Sequence, residues 1–260
     1  MKYLSILLIL ISVSIYSNNN FTAKEIIDKS LEHKTFSYDN AEANITMILI
    51  DKNKNKDIRK VKIRSKTKNK LTKAISQFSG GTEINGVKFL TIEVKDGDDE
   101  QYVYYPAQNK INRIVSKSSK NEYFLGTDFT YADLEGKYRK DAEYKKLEDS
   151  KIGQHEVFVI EAKPKKDSNY SKTIIYIRKS DYIPLKVKFF NKDKKYFKQY
   201  LVKKIKKIDG KKIISISQIL NKKNKHATIL KLDNIDFDAK ISDSEFNKEN
   251  LRWKKHTYLY

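Results

Sequence analysis

Cysteine is absent from the 260 residues. Its absence excludes disulfides, thiolate metal sites, cysteine nucleophiles and any lipid anchor carried on an N-terminal cysteine. It does not argue against export, because a chain of this length can bury a core that needs no disulfide. Arginine is scarce as well, with six residues (Arg59, Arg64, Arg113, Arg139, Arg178 and Arg252) in a chain of formal net charge +21 and pI about 9.6. Nearly all the positive charge is therefore lysine, a hydrated point charge without the planar fork that reads bases. No nucleic-acid partner is expected. The lysines alternate with apolar residues, as in Lys186-Val-Lys-Phe189, which is the pattern of a solvated sheet face. The functional alternative is attraction to anionic lipid headgroups, worth about 1 kcal/mol per lysine near a membrane. No Pro- or Gly-rich linker and no internal repeat divides the chain, so residues 21–260 are expected to form one domain.

Catalytic patterns are missing too. The four histidines, His33, His155, His226 and His256, show no metal-ligand spacing. There is no Gly-x-Ser-x-Gly elbow and no glycine-rich phosphate loop. Asp96-Gly-Asp-Asp-Glu100 lacks the calcium-loop pattern and reads as a solvated turn. Asp128 and Asp133 lie five apart beside a helix start, where capping and turn roles are expected rather than acid–base chemistry. No catalytic residue, metal or cofactor is expected, and the protein is not expected to be an enzyme.

Residues 1–17 read as an export signal: Lys2 gives a positive start, and Leu4 to Ile15 is an apolar run too short to span a bilayer. Cleavage is expected between 17 and 20, which places the mature protein in the periplasm. Thr22 and Glu25 form a capping box, with Phe21 and Ile26 at the staple positions, and a helix should run to about His33. From Asn44 the period becomes two. Strands are expected at 44–50, 58–64, 71–78, 89–94, 102–105, 138–147, 156–162, 173–178, 185–190, 196–208, 213–220 and 228–232. Asp209-Gly210 is a hairpin turn signal. The tail, with Ser244 ahead of Glu245 and Phe246, suggests a short last helix before Trp253. An antiparallel sheet of this size has to curl, and its aliphatic face has to be covered by few and short helices.

One stretch fits neither period. Between Asn121 and Glu135 the aromatics Tyr123, Phe124, Phe129 and Tyr131 crowd together, split by Gly126 and flanked by Asp128 and Asp133. Gly126 permits a backbone that a Cβ resists, Thr130 caps a short helix, and Gly136 can end it. The run from Phe124 to Leu134, Phe-Leu-Gly-Thr-Asp-Phe-Thr-Tyr-x-Asp-Leu, resembles the motif of the LolA-like outer-membrane lipoprotein-sorting proteins. Gln101 to Ile114, with its Tyr-x-Pro and Arg-Ile pairs, fits the same family, as do Asn221 followed by His226 and Thr228, and Gly86, Phe89 and Leu90. Tyr102 stands where the family usually carries Trp.

The resemblance implies a mainly β fold: a curved antiparallel sheet forming an incomplete barrel, with a helical lid or plug, that holds acyl chains of lipoproteins or lipids. On that basis Phe124, Phe129, Tyr131 and Leu134, with Phe89, Leu90 and Tyr104, are the expected lining. Gly126 is the expected hinge, and Asp128, Thr130 and Asp133 the expected caps of the lid. A monomer is expected. An inner-membrane exporter of the resistance-nodulation-division type is the protein partner the family suggests, with a non-catalytic accessory module as the alternative to a carrier.

Overall fold

The computed structural model describes residues 21–32 and 40–252, apart from 82, 96, 116, 135–141 and 166–167. The expected export segment 1–17 and its cleavage window lie outside the described residues, as do His33, Gly136, Trp253 and His256. Helix α1 (Ala23–Leu31) opens the described chain on the expected capping box. Glu25 N donates to Thr22 Oγ1 at 3.3 Å, and Thr22 N donates to Glu25 Oε2 at 2.7 Å.

Fourteen strands among the described residues make one antiparallel sheet. The first six are β1 (Asn40–Ile50), β2 (Lys56–Lys68), β3 (Leu71–Ser79), β4 (Lys88–Ile92), β5 (Glu100–Tyr105) and β6 (Lys110–Arg113). After two short helices, α2 (Lys117–Asn121) and α3 (Tyr131–Leu134), come β7 (Ala142–Lys146), β8 (Ser150–Ile152), β9 (His155–Pro164) and β10 (Lys172–Arg178). The last are β11 (Pro184–Phe190), β12 (Tyr196–Ile208), β13 (Lys211–Asn221) and β14 (His226–Asp236). Each of the twelve segments that alternate in sequence contains a strand, with 138–141 of the sixth lying outside the described residues. The two additions, β6 and β8, are only four and three residues long, too short to show a period. At the β12–β13 turn Asp209 and Gly210 both have positive φ, +47° and +77°, the backbone that this hairpin signal anticipates.

Strand order explains how the site arises. It runs β6-β5-β4-β3-β2-β1-β14-β13-β12-β11-β10-β9-β7, with β8 paired to β9 beside this path. The chain meanders out from β1 to one edge, and later returns from the other edge to finish beside β1. The connection from β6 to β7 therefore has to cross the whole open sheet. That connection contains the aromatic-rich motif.

The inner face is roofed in two places. Ile26 and Ile27 of α1 are fully buried against Phe158, Ile160, Ile175, Val187 and Phe189 on β9–β11. Phe124 and Tyr131 of the crossing segment pack on Val61, Phe78, Phe89 and Val103 of β2–β5. The outer face is not a purely lysine-covered surface, and here the sequence reading needs correcting. Leu90, Tyr102 and Tyr104 carry an apolar cluster there, covered by Phe246 and Leu251 of the C-terminal segment, which makes short 3-10 turns at Asp243–Phe246 and Lys248–Leu251. Val157 and Val159 seat a second outer cluster with Ile183 and Leu185.

Candidate functional site

The crossing segment acts as a plug on the inner face. It contains a 3-10 turn at Phe124–Gly126 in which Leu125 and Gly126 both take positive φ, +46° and +75°. For Leu125 that conformation costs about 1–2 kcal/mol. Its carbonyl oxygen accepts a 2.6 Å hydrogen bond from Nη1 of the buried Arg59 on β2, which helps hold the turn in place. A four-ring cluster then fixes the plug over β3 and β4. Phe124 lies 4.8 Å from Phe89, 5.3 Å from Tyr131 and 5.7 Å from Phe78, between ring centroids.

The next turn carries two carboxylates, and each reaches a different late strand. Thr130 caps α3 as expected, accepting from Asp133 N at 3.1 Å, while Asp133 Oδ2 accepts from Thr130 N at 2.8 Å. The Asp133 carboxylate also binds Lys198 of β12, Nζ to Oδ2 at 2.7 Å, with both side chains almost wholly buried. The Lys198 ammonium uses all three of its donors, since it also reaches the Asp128 carbonyl at 3.3 Å and the Tyr170 hydroxyl. The Tyr170 hydroxyl donates to Asp133 Oδ1 at 2.8 Å. Burial, and then the charge of Asp133, pushes the Tyr170 phenol well above its ordinary range.

Asp128 does not cap a helix, contrary to the sequence expectation. Its carboxylate accepts from Thr228 Oγ1 at 2.9 Å and lies 2.7 Å from His226 Nδ1, while its backbone N–H donates to Thr228 Oγ1 at 3.0 Å. Asn221 Nδ2 donates to the Tyr123 hydroxyl at 2.9 Å, and Gln101 Nε2 to the Tyr131 carbonyl at 3.2 Å. The central motif and the late Asn221…His226-x-Thr228 segment, a hundred residues apart, are thus two halves of one clasp. The plug is held by polar latches as well as by rings.

Beyond the latches that tie the plug to Lys198, Asn221 and Thr228, a strip of the inner face over β12–β14 is left uncovered. A hollow of ≈ 200 Å³ remains there, partly open and mainly apolar, lined by Ile45, Phe129, Phe189, Ile219, Leu230 and Leu232 with Asp133, Tyr200 and Ser217 at its polar margin. Of the residues expected to line it, Phe129 does. Phe124 and Tyr131 pack in the plug beside it, against Phe89 of β4, and Leu134 is 40% exposed at the surface. Leu90 and Tyr104 are on the other side of the sheet, because each follows an inward residue, Phe89 or Val103, and a strand alternates faces. Ile219, Leu230, Phe189 and the latch lysine Lys198 were not anticipated.

Fold and site together define an open antiparallel half-barrel closed by a plug. A family model described only as that of an uncharacterized protein matches residues 70–253. No curated protein matches the chain. Among solved structures, a putative outer membrane lipoprotein-sorting protein domain from Vibrio parahaemolyticus is 25% identical with a TM-score of 0.78, over 88% of this chain and 97% of its own. A DUF1329 family protein from Desulfovibrio piger (21%, TM-score 0.80, 88% and 99%) and a LolA superfamily protein from Nitrosomonas europaea (17%, 0.69, 88% and 99%) share the fold. The chain belongs to the matched family, and its fold is that of the LolA-like structures it resembles.

Proposed function

We propose that the protein is a periplasmic carrier that shields an acyl chain, of a lipoprotein or a lipid, in the hollow between α1 and the plug. The observation that carries this reading is the unroofed apolar strip over β12–β14, next to a plug fastened by polar groups. A core built only for stability would close such a strip, since each void forfeits contacts. Size argues in the same direction. At ≈ 200 Å³ the hollow exceeds the cavity of about 150 Å³ that takes up benzene, yet it is too small for a whole fatty tail. A long chain therefore requires the plug to shift. Each methylene buried contributes about 0.8 kcal/mol, and association costs roughly 4–15 kcal/mol, so a tail of about 14 carbons is held reversibly. The lipoprotein-sorting description of the Vibrio structure supports a cargo of this kind.

Native mass spectrometry with lipid extraction tests the reading. Wild-type protein should carry, or take up, one acyl species per chain. Ile219→Trp, whose indole projects into the hollow, should weaken uptake at least tenfold without unfolding the sheet, and Ser217→Phe gives an independent block from the same strand. If the wild type neither carries nor exchanges any acyl species, the carrier reading is wrong.

A further inference from the structure

The positive charge is not spread evenly. Residues 172–225, covering β10–β13 and their turns, contain seventeen Lys and one Arg against three Asp and no Glu. This stretch holds +15 of the +21, and the rest of the chain is near balance, with 36 basic and 30 acidic residues. A compositional taste for lysine alone would not leave so few carboxylates, three against eighteen basic residues, in this one stretch of the sheet.

The structure gathers this charge. A bulge opposite Phe190 sets the register so that Phe190 pairs with Tyr196 and Phe189 with Lys198, skipping Phe197. Tyr196 then faces outward beside Phe190, with ring centroids 5.8 Å apart. Tyr176 faces outward opposite Lys186. Over these rings lie three ammonium groups: Lys186 at 5.5 Å from Tyr176, Lys188 at 5.5 Å from Tyr176 and 5.7 Å from Tyr196, and Lys222 at 4.1 Å from Tyr196. None of the three enters an ion pair among the described residues. Glu161, two strands away in the same row as Lys188, is taken by Lys172 at 2.6 Å. Burial, and then the charges of Lys188 and Lys222, lowers the Lys186 pKa, so the cations repel one another where they stand.

This cluster runs into a rim. Ile50 pairs with Ala227, Asn221 with His226, and Lys198 with Asn221, so the tips 51–55, 191–195 and 222–225 share one end of the sheet. Those tips carry eight exposed lysines against Asp51 and Asp193. Asp51 is occupied by Asn53 and Asn55 of its own turn.

We propose that this rim, with the Lys186–Lys188–Lys222 cluster, is a docking surface for a membrane leaflet that presents anionic phosphate headgroups. Lysine stems lying over tyrosine rings, with their charges free, suit an interface whose apolar and charged layers are stacked. Nucleic acid fits less well. The one arginine of the stretch, Arg178, is bound at two points to Asp181, at 2.7 Å each, so no guanidinium is offered to bases.

Vesicle sedimentation decides the matter. Full-length protein should bind phosphatidylcholine vesicles only when they contain about 30 mol% phosphatidylglycerol, and salt well above about 0.15 M should release it. Each lysine lost should weaken binding about fivefold, so Lys186→Ala/Lys188→Ala/Lys222→Ala should lose roughly a hundredfold. Lys222 is exposed, and Lys186 and Lys188 are half-buried on the outer face, so folding should be unchanged, which unchanged thermal denaturation verifies. Equal binding to neutral vesicles, no loss in the triple variant, release by low concentrations of inorganic phosphate, or tighter binding to a nucleic-acid duplex would each overturn the proposal. The lysine variant should still take up acyl chains, and Ile219→Trp should still bind vesicles, so failure here is separable from failure of the carrier reading.

Discussion

Lys198→Met should lower the unfolding free energy by about 3–5 kcal/mol, because it strands the buried Asp133 carboxylate without its counter-charge. The melting temperature should fall by roughly 10–15 °C. Hydrogen exchange should show the loss first around Asp128, Thr130 and Asp133, since the ammonium also holds the Asp128 carbonyl. Lys198→Met/Asp133→Asn should recover at least half of the loss. An amide oxygen in the place of Asp133 Oδ2 can still accept from Thr130 N and from the Tyr170 hydroxyl, and no charge is left buried. A single variant that loses less than about 1 kcal/mol would mean that the plug does not depend on this latch.

Phe124→Ala acts on the opposite side of the plug and should have a comparable cost, about 3–5 kcal/mol, from removing the ring that touches Phe78, Phe89 and Tyr131. Its functional consequence should be the reverse of a simple loss. If the plug must shift to admit a tail, a plug that is less well packed has less to give up, and a larger share of molecules is competent to bind. Titration with a fluorescent fatty acid should therefore show tighter or faster uptake in Phe124→Ala than in wild type, despite the lower melting temperature. Weaker uptake would make Phe124 part of the binding wall rather than part of the roof.

These residues show where sequence reasoning stops. Period-two alternation marks strands well when they are six or more residues long, and it does so for β1–β3 and β9–β14. It also carried the information that Phe89 and Leu90 cannot face the same side, which a motif read as a unit conceals. Lys198 is hidden for a different reason. Counting by twos from the outward Tyr196 sends Lys198 outward as well, and only the bulge at Phe197 turns it in. Asp128 looked like a cap because nearby residues are all that a sequence displays, whereas its partners Thr228 and His226 are about a hundred positions away. The capping boxes of α1 and α3 are local, and both were legible. The hollow itself is a property of what α1 and the plug fail to cover, and no single residue announces it.

Photolabelling with a diazirine-bearing fatty acid, followed by peptide mapping, puts the main claim to its most direct test. Labels should concentrate on Ile219, Leu230 and Phe129, under the free edge of the plug, and should fade when excess unlabelled fatty acid competes. Labels confined to the outer cluster around Leu90, Tyr104 and Phe246, or scattered with no competition, would contradict a cargo site on the inner face.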